Sequence, residues 1–227
     1  MFRSRLLSLA LLVLLVSLGA CSALGGLDSL TGEVTAESEE TQSVIVPGVP
    51  SLIVDHFAGN VTIRDGEADK ITANLTRQSR LNDAAEAQAQ LDLITMTFTQ
   101  SGTDVTLSVE GREGISEGLD AATANLELLV PPGTVLEVNF GAGDLTVEQP
   151  SGDVTINLGA GNATVTLPDA ASFNLRVSGG VGNVNSEFEG VPGGGIATDI
   201  DTTIGDNPTQ TLTFNVGAGD ININKAQ

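Results

Sequence analysis

Catalysis needs a nucleophile, a base and something to orient them, and this sequence supplies little of any. Its single histidine, His56, follows Asp55 in an alternating apolar run that ends at Gly59. As a general base it would need a serine held on a strained strand-to-helix elbow, and no such elbow is expected here. A strand-borne histidine of this kind is expected at the surface or in a turn. The single cysteine, Cys21, precedes every strand-like segment, so neither a cysteine nucleophile in the domain nor a Cys/His zinc site fits the counts. Carboxylates remain. Polysaccharide-cleaving β-helices work with carboxylates in a groove, and here Asp144, Asp153 and Asp220 sit beside turn glycines. Such a groove also needs a basic residue, and the cations past the leader are Arg64, Lys70, Arg77, Arg80, Arg112, Arg176 and Lys225. No acid-base pair emerges from their spacing. Calcium fits no better: the nonapeptide calcium roll keeps one residue between Gly and Asp, whereas Gly143-Asp144 and Gly219-Asp220 are adjacent and other copies carry Asn. Asp and Asn tolerate left-handed backbone and bond their own amides, so they read as turn formers. No catalytic residue, metal or cofactor is expected, and the chain reads as a non-enzyme.

The elements that must carry any site are repeats. Phe140-Gly141-Ala142-Gly143-Asp144-Leu145-Thr146-Val147 is followed by Leu158-Gly159-Ala160-Gly161-Asn162-Ala163-Thr164-Val165. Each phrase is an apolar strand end, a Gly-x-Gly turn, then apolar residues alternating with Thr, the period of a strand with one buried face. Copies recur at Gly180-Val181-Gly182-Asn183-Val184 and Val216-Gly217-Ala218-Gly219-Asp220-Ile221, with a looser one at Phe57-Ala58-Gly59-Asn60-Val61. Gly59, Gly143, Gly161, Gly182 and Gly219 are the expected structural turn residues. From Gly143 to Gly161 is 18 residues, from Gly161 to Gly182 is 21, and from Gly182 to Gly219 is 37, close to two steps. This periodicity predicts an all-β, β-solenoid-like fold of stacked parallel coils with Gly-x-Gly-Asp/Asn turns. The alternative is an antiparallel β-sandwich in which each turn closes a hairpin. In the solenoid, Leu145, Ala163, Val184 and Ile221 stack as one inward ladder, and Leu136, Val154, Phe173 and Leu212 begin strands of the facing sheet.

Around the repeats, Leu52, Val54, Val61 and Ile63 alternate across a turn at Gly59-Asn60 and open the first coil. Asp83 to Ile94 changes period: Ala84, Ala87, Leu91 and Ile94 share a helical face, and Asp83 with Glu86 has capping-box spacing. One short helix is predicted there, placed to cover an end of the stack. A hairpin follows, with Ile94, Met96 and Phe98 alternating before Ser101-Gly102 and Val105, Leu107 and Val109 after it. Arg112 to Ala122 reads as a loop, and Gly190 to Pro208, with Gly193-Gly194-Gly195, as a loosened or replaced coil. Composition agrees with a thin aliphatic core: Gly numbers 27, Phe 7, and Trp and Tyr are absent.

The first 20 residues form a signal peptide: Arg3 and Arg5, the apolar run Leu6 to Leu18, then small residues before Cys21. Leu18-Gly19-Ala20-Cys21 resembles the lipobox of bacterial lipoproteins. That resemblance implies cleavage before Cys21, diacylglycerol on its sulfur, and often an amide-linked acyl chain, which together suffice for stable anchoring. Residues 21–43 would then be the lipidated cysteine and a flexible acidic tether containing Glu37-Ser38-Glu39-Glu40. The domain would occupy residues 44–227. The formal charge of −20 becomes more negative by two once Arg3 and Arg5 are removed, which disfavours nucleic acid as a partner.

Leu52-Ile53-Val54-Asp55, Gly59-Asn60-Val61-Thr62-Ile63, a short helix, a hairpin, Val130-Pro131-Pro132-Gly133-Thr134 and the Gly-x-Gly-Asp repeats together resemble the DUF4097 adhesin-like β-strand repeat family over residues 44–224. The resemblance implies a β-solenoid-like fold in the cell envelope and transfers no catalytic residue. The expected function is that of a lipoprotein in the cell membrane or outer membrane, held through Cys21 with its domain on the extracytoplasmic side. It would act in binding a glycan or protein ligand, or as an envelope structural element. The alternative is a carbohydrate-active enzyme on a β-helix scaffold. Two carboxylates and a cation in one groove would favour the enzyme, and a flat face lined by Thr and Asn would favour binding.

Overall fold

The computed structural model describes residues 34–111, 122–195 and 199–226. The expected signal peptide, Cys21 and Arg112 lie outside them. Strands β1 (Ala36–Ile45), β4 (Lys70–Ser79) and β7 (Ala122–Val130) are antiparallel neighbours at one edge of a nine-stranded sheet. The sheet continues in parallel through β3 (Val61–Asp65), β9 (Leu145–Glu148), β11 (Ala163–Leu167), β17 (Ile221–Lys225) and β13 (Asn183–Ser186) to the short β14 (Gly194–Gly195), which turns antiparallel. An eight-stranded sheet begins with the antiparallel hairpin β5 (Ile94–Ser101) and β6 (Asp104–Gly111). It runs in parallel through β2 (Ser51–Ala58), β8 (Val135–Ala142), β10 (Val154–Ala160), β16 (Gln210–Ala218) and β12 (Phe173–Val181), and ends on antiparallel β15 (Asp199–Ile204).

The described residues therefore form an all-β protein of two mixed sheets with one short helix. The strands flanking each Gly-x-Gly turn, and those flanking the looser Ala58-Gly59 turn, lie in different sheets: β2 and β3, β8 and β9, β10 and β11, β12 and β13, β16 and β17. Each such repeat gives one strand to each sheet, and is called a coil below. Alternation turns one row of every strand inward, and Val61, Leu145, Ala163, Ile221 and Val184 stand in register as one buried ladder. On the facing sheet the matching ladder is Leu52, Leu136, Val154, Leu212 and Leu175. Each fully buried Leu or Ile contributes about 1.5–3 kcal/mol of transfer free energy, and the regular register makes that burial continuous along the stack.

Phe173 begins β12 on the facing sheet, as expected, and pairs with Gln210, so that Leu175 stands beside Leu212. Three expectations need correction. First, the repeats do not pair in chain order: β16/β17 inserts between β10/β11 and β12/β13. Secondly, Ala36 to Ser43, assigned to the tether, is strand β1, paired with β4 from Ala36↔Ser79 to Ile45↔Lys70. None of its residues is buried, so no apolar row announces it. It is held by cross-strand polar contacts, including the Arg77–Glu40 ion pair and Gln78 Nε2 donating to Glu37 at 2.7 Å, and its charges suit an edge. Thirdly, the helix is shorter than the periodic stretch: α1 spans Ala84–Leu91, because Ile94 already belongs to β5. Asp83 caps it, its carboxylate accepting from the amides of Ala85 and Glu86 at 2.9 Å each. Its Ala87, Gln90 and Leu91 are buried, the helix touches β1 and β4, and Ser79 Oγ donates to Gln90 at 2.8 Å.

Candidate binding face

On the outer side of the eight-stranded sheet, the residue two places before the first glycine of three repeats is Asn: Asn139, Asn157 and Asn215. Parallel register aligns these with Asp55 of β2. They form a continuous amide ladder. Asn139 Nδ2 donates to Asp55 Oδ1 at 2.8 Å, Asn157 Nδ2 to Asn139 Oδ1 at 2.7 Å, and Asn215 Nδ2 to Asn157 Oδ1 at 2.7 Å. The ladder has a direction, with every amide donating toward the carboxylate, the one member that only accepts. The adjacent outward row carries Glu137, Thr155 and Thr213. Opposite, the outer side of the nine-stranded sheet aligns Thr62, Thr146, Thr164, Asn222 and Asn185. Both outer faces thus carry rows of polar side chains, most of them Asn or Thr, in parallel register.

The turns form a third column. In spatial order their polar residues are Asn60, Asp144, Asn162, Asp220 and Asn183, an alternation of amide and carboxylate that chain order does not contain. It follows from the inserted coil. Asn162 Nδ2 donates to Asp144 at 2.9 Å, Asn183 Nδ2 to Asp220 at 3.1 Å, and the Asp220 amide to Asn162 Oδ1 at 3.2 Å. Both carboxylates therefore accept from amides of a neighbouring coil, which is a structural reason for their place beside glycine. The glycines of this column, Gly59, Gly143, Gly161, Gly219 and Gly182, have φ between 129° and 152°. A Cβ on Gly143 would overlap the carbonyl oxygen of Gly59 in the next coil.

The acids weighed for catalysis are not brought together. Asp144 and Asp220 are separated by Asn162, and Asp153 stands at the opposite end of β10, where its carboxylate accepts from the Thr211 amide at 2.7 Å. Several of the cations are engaged elsewhere: Arg64 with Glu127, Lys70 with Glu67, Arg77 with Glu40, and Lys225 with Asp169 at 2.7 Å. A Gly-x-Ser-x-Gly spacing does occur, at Gly114-Ile115-Ser116-Glu117-Gly118. It lies outside the described residues, and the strand-to-helix context that gives the motif its role belongs to an α/β sheet.

His56 is not at the surface. It shares the parity of Leu52 and Val54 on β2 and points inward, 3% exposed, a placement that period-2 counting could have found. Its ring stacks on Phe140 with centroids 5.4 Å apart, and Nε2 lies 2.8 Å from the Ala124 carbonyl. A carbonyl only accepts, so Nε2 carries the proton and Nδ1 is a bare acceptor, which has no partner among the described residues. Burial lowers the pKa from 6.5 to about 4, against a smaller opposing effect of the Ala124 bond. Phe57 is half-buried at the edge of the core, its ring 5.7 Å from that of His56. Asp55, His56, Phe57, Val109, Glu110, Gly111 and Asn139 line an open depression of about 360 Å³. A second concavity, of about 20 Å³ between the Gly180–Gly182 and Val216–Ile221 segments, holds little more than a water.

No helix of the described residues is long and apolar enough to cross a membrane. Among solved structures, a protein named for cell adhesion from Clostridium sporogenes ATCC 15579 aligns with 84% of this chain and 100% of its own, at 18% identity and a TM-score of 0.50. Proteins named as adhesins from Parabacteroides distasonis ATCC 8503 and Bacteroides fragilis NCTC 9343 cover 82% and 83% of this chain and 70% and 98% of their own, at 12% and 10% identity and TM-scores of 0.28 and 0.24. The first shares the fold, and the other two carry no argument. No curated protein matches. The family model described as the N-terminal domain of toast_rack, DUF2154, matches residues 33–187. That match spans more than half of the chain and takes in β1 through β13, so the protein belongs to the DUF2154 family of toast_rack N-terminal domains.

Proposed function

We propose that this protein is a lipid-anchored envelope protein whose β-solenoid-like domain acts by binding, without catalysis. The observation that carries the reading is the outer face of the eight-stranded sheet, where Asp55, Asn139, Asn157 and Asn215 and the Thr155–Thr213 row present small polar groups in strict register. A face already ordered by its own ladder loses little conformational entropy on engaging a ligand. The cell-adhesion name of the Clostridium sporogenes neighbour agrees with this role, as does the DUF4097 resemblance. The anchor is Cys21, and the domain faces the extracytoplasmic side of the cell membrane or outer membrane.

Two measurements test the proposal. Mass spectrometry of the mature N-terminus should find an acylated Cys21, and Cys21→Ser should leave the protein uncleaved or released. A chain that begins at unmodified Cys21 or at Leu24 refutes the anchor. Cells that display the wild-type protein should bind host or neighbouring-cell surfaces more strongly than cells displaying a Thr155→Lys, Thr213→Lys variant. Equal binding refutes the face.

A further inference from the structure

We propose that the depression beside Phe57 is a subsite for one residue of a neutral glycan, a proposal that rests on the binding reading and gives it a ligand class. The volume, about 360 Å³, falls at the small end of ligand-site volumes. Phe57 supplies an apolar wall. It is half-buried at the edge of the core, and the register that pairs His56 with Phe140 places glycine, Gly141, beside it on β8, so no side chain of that strand covers the ring's flank.

The polar groups around that wall are mostly acceptors awaiting donors. Asp55 accepts one bond, from Asn139, and its other oxygen has no partner among the described residues. Glu110 makes no ion pair among them. Among the described residues, none that lines the depression is Lys or Arg. A ligand that fits must therefore bring hydrogen-bond donors and an apolar face, and hydroxyls around a sugar ring do both. Two carboxylates and a formal charge of −20 repel sugars bearing carboxylate, sulfate or phosphate. An organic cation would also suit carboxylates and an aromatic ring. The surroundings favour the glycan: the depression shares Asp55 and Asn139 with the ladder. That ladder continues through Asn157 and Asn215 in steps of about 4.8 Å, the spacing of neighbouring strands, a repeating polar track for further sugar units.

The test is a glycan array probed with the purified full chain, followed by titration calorimetry with neutral and acidic oligosaccharides. Variants are Phe57→Ala and Asp55→Asn, with Thr166→Ala on the other sheet as control. Asp55→Asn keeps the ladder, because the amide oxygen still accepts from Asn139, so its melting temperature should match wild type. Neutral glycans should bind, with affinity lost at least about tenfold in Asp55→Asn and Phe57→Ala and kept in the control. Unchanged affinity in Asp55→Asn overturns the subsite while leaving the binding function intact. A preference for acidic glycans, or competition by tetramethylammonium, overturns the ligand class. Absence of glycan binding by a protein that still mediates cell attachment overturns the subsite alone, and absence of both overturns the two proposals together.

Discussion

Replacing Gly143 by alanine measures the close approach of one coil to the next. Gly143 has φ 132°, and a Cβ there would overlap the Gly59 carbonyl and meet the ring of Phe140 at 2.9 Å. Two costs combine: about 1–3 kcal/mol for an L-residue held in a sparsely populated backbone region, and about 1–3 kcal/mol for forcing a carbon into a filled contact. Gly48 supplies the comparison, since it has φ 97° but nothing within 4 Å of its would-be Cβ. Gly48→Ala carries only the first cost. Gly143→Ala should therefore be less stable by the second, about 1–3 kcal/mol, which for a chain of this size lowers the melting temperature by about 2–4 °C per kcal/mol. Ala142→Ser, at an exposed position of the same turn, should be nearly silent. Urea midpoints at unchanged slope decide the matter. Equal midpoints for Gly48→Ala and Gly143→Ala would show that φ alone selects glycine at 143, and the coil-contact argument would fail.

Burial holds His56 neutral in the folded chain, with a pKa of about 4 against 6.5, so the unfolded chain binds its proton first as pH falls. The stability is whole above pH 6.5 and declines by about 3 kcal/mol between pH 6.5 and 4, at 1.36 kcal/mol per unit. The difference between wild-type and His56→Gln urea midpoints should shrink over that window, and a pH-independent difference would contradict the assignment. Asn162→Asp places three carboxylates in a row at Asp144, residue 162 and Asp220 and removes an amide donor. It should cost about 1–2 kcal/mol, partly restored by salt, whereas Asp144→Asn should cost less; the reverse order in melting experiments would refute the alternation. Deleting residues 209–227 removes a coil from the middle of both sheets, so it should abolish the cooperative thermal transition. A truncated chain that melts like the parent minus an end cap would mean the coils stack in chain order.

Much was legible one residue at a time. Period-2 alternation marks Leu52, Val54, Val61 and Ile63 as inward, because a strand with one buried face leaves little choice. Asp83 before Ala84 starts the helix by a local carboxylate–amide bond, and Ser101-Gly102 turns the hairpin between β5 and β6. What these features share is that the deciding partner lies within a few residues. β1 escaped for the complementary reason: Glu37, Glu39 and Thr41 bury nothing, and the strand exists only because β4 supplies its hydrogen bonds.

The order of the coils belongs to the tertiary structure alone. Every repeat offers its neighbours the same backbone edge and the same Gly-x-Gly corner, so local sequence permits any coil to stack on any other. Distant contacts discriminate among them. With β16/β17 in the middle, Asp220 falls between Asn162 and Asn183, and each turn carboxylate accepts from an amide of an adjoining coil. In chain order, Asn162 would face Asn183 and Asp220 would stand at the end. His56 is a similar case. Its parity is written in β2, but its partners Phe140 and Ala124 lie far along the chain, and only the assembled sheets create the apolar surroundings that keep its ring uncharged.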